Sequence, residues 1–268
     1  MLDIVENEVS RKKPPKHIAD FNLPERKKFA EELGLPGFRA DQVSRHWFGQ
    51  LSDDYQEWTD LPAGERKEIH ESLTPKLLNE LKVQKADGGN TVKTLWKLHD
   101  GLLIESVLMH YPNRTTICIS SQAGCGMGCP FCATGQGGLK RNLSTAEIVS
   151  QVQAGARYAA QGFLPEGPSR LSNIVFMGMG EPMANFNAVV GTIHRIHDES
   201  PEGLGISARN ITVSTVGLVP RIKDLAALGL PVRLAVSLHA PTDELRDTLV
   251  PINERYPIKE VLDASWSY

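Results

Sequence analysis

The chain has 268 residues, 41% of them hydrophobic and 23% charged, with a formal net charge of −3. That balance supports one large domain or two unequal ones with a sizeable core; it carries no global basic signature, so contact with nucleic acid must come from local patches. No apolar run approaches the ~20 residues of a membrane span, and the four cysteines, three of them within eight residues, do not make a secreted disulfide scaffold.

The first residues, MLDIVENEVSRKKPPKH, mix acids and bases and have no apolar stretch, so 1–16 reads as a mobile, locally basic tail, not a secretory signal, and a cytoplasmic location is expected. Residues 17–81 read as a small helical domain. Pro24 to Leu33 places Phe29 and Leu33 at helical spacing before Gly34, a plausible cap. Ala40 to Gln50 puts Val43 and Trp47 on one face; Leu61-Pro62 breaks the pattern, and Glu65 to Leu73 resumes it with Ile69 and Leu73. From Lys82 the period changes to two. Asp87-Gly88-Gly89-Asn90 and Asp100-Gly101 mark hairpin turns, with Leu102 to Met109 as the second strand of the later hairpin.

From Thr115 strands alternate with helices. Thr115 to Ser121, Asn173 to Met179, Asn210 to Val216 and Val232 to Leu238 read as strands, and Ser144 to Glu147 as a capping box with Ile148, Val149 and Val152 on the inner helix face. Apolar strands separated by helices predict a parallel sheet covered on both faces, as part of a (β/α) barrel or an open doubly wound sheet. The fold class is therefore α/β: a partial barrel over 82–268, preceded by the helical domain and a β-hairpin region.

The strongest chemical signal is Cys125-Gly126-Met127-Gly128-Cys129-Pro130-Phe131-Cys132. Three thiolates at this spacing fit one tight loop, and the glycines let the backbone wrap a bulky inorganic core. A cubane cluster is normally held by four cysteines, so three leave one iron open to a small molecule bearing an amine and a carboxylate. The other reading is a zinc site with Cys118 or a histidine as fourth ligand, against which stands the lack of a second ligand pair far along the chain. Gly178 to Pro182, Ser214-Thr215 and Ser237-Leu238-His239 end the later parallel strands, so with the cysteine loop they are expected to converge on one mouth. Singly each has a plainer reading: a turn for GMGEP, a capped or core side chain for His239.

The spacing resembles the radical S-adenosylmethionine superfamily. The stretches SSQAGCGMGCPFCATGQGG, NIVFMGMGEP, ITVSTVGLVP and LAVSLHAP…R…L.PINERYPI closely resemble, more narrowly, the RlmN-type adenine-C2 RNA methyltransferases, over about residues 20 to 264. GFRADQVSRHWF looks like that family's accessory RNA-contacting domain. A related group methylates C8 and shares the cysteine motif.

The resemblance implies a [4Fe–4S] cluster on Cys125, Cys129 and Cys132, and S-adenosylmethionine on Gly180, Glu181, Ser214, Ser237, Leu238 and His239. It implies catalytic roles for Glu105, as proton acceptor, and for Cys118, as the thiol that resolves a covalent protein–RNA intermediate. In the family a methyl-bearing cysteine loses hydrogen to a 5′-deoxyadenosyl radical and the carbon radical adds to the base; a disulfide bond is among the family's features. The implied partners are 23S rRNA, some transfer RNA, and an electron donor such as flavodoxin. Glu105 lies in the apolar run Leu102 to Val107, where partial desolvation is expected to raise its pKa; its plainer reading is a solvent-facing carboxylate. Cys118 shares a face with Thr116 and Ser120, and its plainer reading is a small buried hydrophobe.

All four cysteines are thereby assigned, and none remains to carry the methyl. The chain looks like the family with roughly its last quarter missing, so cluster binding is expected and methyl transfer by these 268 residues alone is not; a non-enzymatic RNA-binding remnant is the second reading. Arg114, Lys140, Arg141 and the cluster Arg11-Lys12-Lys13 with Lys16 are candidate RNA contacts, or ordinary solvated charge.

Overall fold

The computed structural model describes residues 13–268. Most of the expected tail, including Arg11 and Lys12, lies outside the described residues.

Three helices come first: α1 (Leu23–Glu32), α2 (Phe38–Ser44) and α3 (Arg66–Leu73). Asn22 opens α1 by accepting from the Glu25 amide, while the Glu25 carboxylate accepts from the Asn22 amide, at 3.0 and 2.9 Å. The buried face of α1 is Arg26, Phe29 and Ala30. Leu33, expected inside, is instead exposed beyond the last turn. The Ala40–Gln50 helix is split: α2 passes into a wider turn, Arg45–Gly49, which buries His46, Trp47 and Phe48.

The strands are β1 (Leu78–Ala86), β2 (Thr91–Leu98), β3 (Leu103–Tyr111), β4 (Arg114–Cys118), β5 (Gln122–Gly124), β6 (Leu139–Asn142), β7 (Leu171–Phe176), β8 (Ile211–Thr215) and β9 (Arg233–Val236). Seven form one sheet in the order β1-β2-β3-β4-β7-β8-β9, while β5 and β6 pair separately. β1 to β4 are antiparallel and β4, β7, β8 and β9 are parallel. The parallel crossovers run through α5 (Thr145–Ala160), α6 (Phe186–His197) and α7 (Val219–Ala227), with short α4 (Ala133–Gln136) before them and α8 (Asp243–Leu249) and α9 (Ile258–Trp266) after.

Alternation along the strands sorts the two faces. Ile104, Leu108 and Ile117 are buried, and Ile117 packs so closely on α5 that a Cβ at Gly155 would lie 2.5 Å from its Cδ1. The opposite face carries the register row Val107, Cys118, Val175 and Thr212, with Glu105 two residues from Val107. One buried apolar cluster runs from Ile18, Phe29 and Trp58 through the sheet to Val232, so the helical segment and the sheet share a core. A second, under α7 and α9, holds Val219, Ile222, Val261 and Ala264. Among the described residues no helix is long and apolar enough to cross a membrane.

Candidate active site

The site is assembled by four loops at the C-terminal ends of the parallel strands. After β4 the chain enters β5, and the Cys125 amide donates to Gly138 O at 3.2 Å, closing residues 125–138 into a loop. Gly124 makes this closure sterically feasible: its φ is +76°, and a Cβ there would fall 2.1 Å from Gly138 O. The Cys132 amide donates to Cys129 O at 3.1 Å, so the last two cysteines stand on one turn at the start of α4.

Burial pushes the Cys125 and Cys129 thiols up; the amides of Met127 and Glu181 oppose this at Cys125, and the charges of Glu181 and Cys132 add to it. At Cys129 the charges of Cys125 and Cys132 act with burial. Three thiols that repel one another when ionised, one of them already receiving backbone amides, suit a cationic iron core. Among the described residues no three His, Cys, Asp or Glu side chains converge as a single metal ion requires.

The loop after β7 lies directly on this segment. The Gly178 amide donates to Ile119 O at 3.0 Å, and the Met179 amide to Ser120 Oγ at 2.9 Å. A Cβ on Gly178 would lie 2.7 Å from the Ile119 carbonyl, and one on Gly180 (φ +99°) 2.5 Å from Gln122 Cβ. The Glu181 amide donates to Gln122 Oε1 at 2.8 Å. The Glu181 carboxylate accepts from the Met183 and Val216 amides, both at 3.0 Å. The residue is only 4% exposed, and burial pushes its carboxyl up to about 7. Among the described residues it has no side-chain cation, so a ligand ammonium would offset its desolvation.

Ser214 Oγ donates to Phe176 O at 2.5 Å, tying β8 to β7. The Ser237 amide donates to Thr215 O at 2.9 Å. Leu238 O accepts from Arg246 Nε at 2.9 Å. His239 has φ +65°, and its ring lies 4.8 Å from that of Phe131 in the cysteine loop. The structure thus brings Cys125, Cys129, Cys132, Gly180, Glu181, Ser214, Ser237, Leu238 and His239 to adjoining loops, as the spacing of the motifs along the strands predicts.

Glu105 and Cys118 stand apart from that rim, on the sheet face described above. The Cys118 thiol, raised by burial, accepts from the Met177 amide at the root of the β7 loop. Glu105 is not desolvated as expected: its side chain is 41% exposed and pairs with Lys93 Nζ at 3.0 Å. Its diagonal neighbour on β2 is a lysine on the same face, which the apolar run Leu102–Val107 conceals.

Arg141 is also corrected. It is committed to Glu147 (2.8 Å to each oxygen) and Asp100 (2.5 Å), and is not free for RNA. Arg114, Lys140 and Lys16 are exposed. All four cysteines are free thiols, so the expected disulfide is not formed.

Sequence reasoning missed the residues that hang these loops together. Gln151 exchanges two hydrogen bonds, both 2.9 Å, with the Ser120 backbone, and Ser120 Oγ donates to Glu105 O at 2.6 Å. Asn185 Nδ2 donates to Ser121 O and Leu143 O, both at 2.8 Å. The legible signal was Gln151 itself, an amide on the inner helix face with Ile148 and Val152.

Residues 119–265 match the family model of the radical SAM superfamily. The chain is 62% identical over 258 residues to a dual-specificity RNA methyltransferase RlmN from a Nocardioides species, covering 96% of this chain and 69% of that one. It is 58% identical to the corresponding protein of Rhodococcus erythropolis, covering 100% and 72%. It superposes on the crystal structure of a radical SAM methyltransferase from Sphaerobacter thermophilus with a TM-score of 0.86 at 46% identity, covering 93% and 71%. The chain thus spans about 70% of the length of these relatives. It belongs to the radical SAM superfamily and, within it, to the RlmN family of RNA methyltransferases, whose cofactors are a [4Fe–4S] cluster and S-adenosylmethionine.

Proposed function

We propose that the chain serves the radical methylation of C2 of an adenine in 23S rRNA and transfer RNA. The observation that carries this reading is the shared rim on which the Cys125 loop and the Glu181 carboxylate meet, joined through Gln122 of β5, whose Oε1 accepts from the Glu181 amide at 2.8 Å. Cys125, Cys129 and Cys132 hold the cluster. Bound there, the cluster would supply one-electron reduction to S-adenosylmethionine.

The chain's own residues do the rest. Glu181, buried and without a side-chain cation among the described residues, takes the cofactor ammonium; Gly180, Ser214 and Ser237 to His239 line its polar groups. Gly178 and Gly180 let the loop lie close enough for this. Cys118 presents its thiol on the face beside Glu105, where it would form a disulfide with a methyl-carrying cysteine that is not among these residues, breaking that sulfur's bond to the carbon joined to the base, while Glu105 would accept the proton lost from the base. Lys93, 3.0 Å from Glu105, orients that carboxylate. An adenine must leave its stack to reach these groups. Within these 268 residues the four cysteines are all occupied by these roles, leaving none to carry a methyl group. The reductant is a one-electron donor such as flavodoxin, and the setting the cytoplasm.

The test is anaerobic reconstitution of the chain. About four irons per chain are expected, with 5′-deoxyadenosine formed when S-adenosylmethionine and a reductant are added. Stoichiometric zinc without iron overturns the reading. With RNA present, these residues alone should yield no 2-methyladenosine; its appearance overturns the assignment of all four thiols, and 8-methyladenosine overturns the choice of C2.

A further inference from the structure

Arg246 is fully buried on α8, outside every segment assigned to the cofactor. Its guanidinium nevertheless reaches one of those segments, at Leu238, and the Val216 carbonyl two residues beyond Ser214. Nε donates to Leu238 O at 2.9 Å and Nη2 to Val216 O at 2.5 Å. Nη1 donates to Asn253 Oδ1 at 2.5 Å and, more weakly, to Tyr256 O at 3.5 Å. Val216 is the residue whose amide donates to Glu181 Oε2 at 3.0 Å. Leu238 precedes His239, whose ring rests on Phe131 between Cys129 and Cys132. A planar group with donors at fixed angles therefore links the loops after β8 and β9, and through their next contacts the β7 loop and the cysteine loop.

The guanidinium is itself held in place. Asn253 Nδ2 donates to Asp247 Oδ1 at 2.7 Å and Asp243 Oδ1 at 3.0 Å, and Asp243 Oδ1 also accepts from the Ile258 amide at 2.8 Å. Burial holds the Arg246 guanidinium below its ordinary range, and the charges of Asp243, Cys129 and Asp247 oppose that shift.

We propose that Arg246 is the positioning residue of the cofactor site, fixing the Val216 and Leu238 carbonyls so that Glu181 and the Ser237–His239 segment face one ligand together. This rests on the reading that those residues hold S-adenosylmethionine. A lysine would keep the charge but not the planar fork, and one ammonium cannot satisfy carbonyls in these separate directions.

The experiment compares wild type, Arg246→Lys and Asn253→Ala. Amide exchange is measured on each chain before any cofactor is added; iron content and the dissociation constant of S-adenosylmethionine are then measured after anaerobic reconstitution. Folding is checked by circular dichroism. In Arg246→Lys the Val216 and Ser237 amides should exchange about tenfold faster, while those of β4 and β7 are unchanged; S-adenosylmethionine should bind about tenfold more weakly at unchanged iron content. Asn253→Ala, which frees the guanidinium without removing it, should move both readouts the same way by less.

Wild-type exchange and affinity in a folded Arg246→Lys overturn the proposal. If that variant does not fold, Asn253→Ala decides: wild-type values overturn, and faster Val216 exchange with weaker binding supports. If wild type itself binds no S-adenosylmethionine, the parent reading fails, and the exchange comparison alone still decides the role of Arg246.

Discussion

Acidification should weaken the packing of the helical segment on the sheet through one side chain, His17. The residue is 2% exposed, its Nδ1 accepts from the Ala19 amide at 2.9 Å, and its ring meets Trp47 edge-on with centroids 4.9 Å apart. Burial drives its pKa down from 6.5 to about 3; Asp53 opposes the shift, while Arg26 and His70 add to it. The unfolded chain therefore takes up a proton near pH 6.5 that the folded chain refuses until about pH 3. The stabilisation is complete above pH 6.5 and is lost as pH falls through that window. Between pH 7 and pH 5 the linkage amounts to about 2 kcal/mol. The assay is urea unfolding at both pH values of wild type and His17→Asn, which keeps an acceptor for the Ala19 amide but cannot titrate. Asp53, His70 and every other titrating group are common to both proteins, so the wild type should lose about 2 kcal/mol more than the variant. Parallel losses would refute the neutral, buried imidazole.

Three further outcomes are expected. Arg141→Met leaves Asp100 and Glu147, whose side chains are 1% and 0% exposed, without their main cation; it should cost about 3–5 kcal/mol, whereas Lys140→Met on the exposed neighbour should stay within about 0.5 kcal/mol, both read from thermal unfolding. Gly180→Ala carries a left-handed backbone penalty of about 1–2 kcal/mol plus the clash with Gln122, while Gly128→Ala, with open space at its Cβ, carries the backbone penalty alone; calorimetry should rank them in that order. Cys129→Ser should lower the iron bound after reconstitution, and Cys118→Ser should leave it at the wild-type level, as metal analysis will tell.

The strand ends were legible because motif and periodicity coincide there: each chemical motif follows an apolar run of strand length, so Gly180, Glu181, Ser214 and Ser237 to His239 fell into place along the chain. Local patterns could not show partners brought in across the sheet. Lys93 meets Glu105 diagonally, two register positions off the direct pair Leu95–Glu105, and no window along the chain joins them. Arg141 reads as a surface charge until β6 sets it beside the β2–β3 turn and the first turn of α5. The β5–β6 ladder is too short, and too rich in glycine nearby, to give a period of two. Leu33 has the right spacing for the inner face of α1, but it follows the last helical residue, where the chain turns out to solvent.

The Gly178–Ile119 contact has a consequence for affinity. Because the β7 loop is fastened to the cysteine-bearing segment by main chain, and by Ser120 and Gln122, its shape is set when the sheet forms. The ordering cost of such a loop, about 1–2 kcal/mol for each backbone residue fixed, is incurred in folding and is not charged again against the ligand. A cofactor entering this mouth meets a preorganised wall, and the free energy of its contacts goes into holding it.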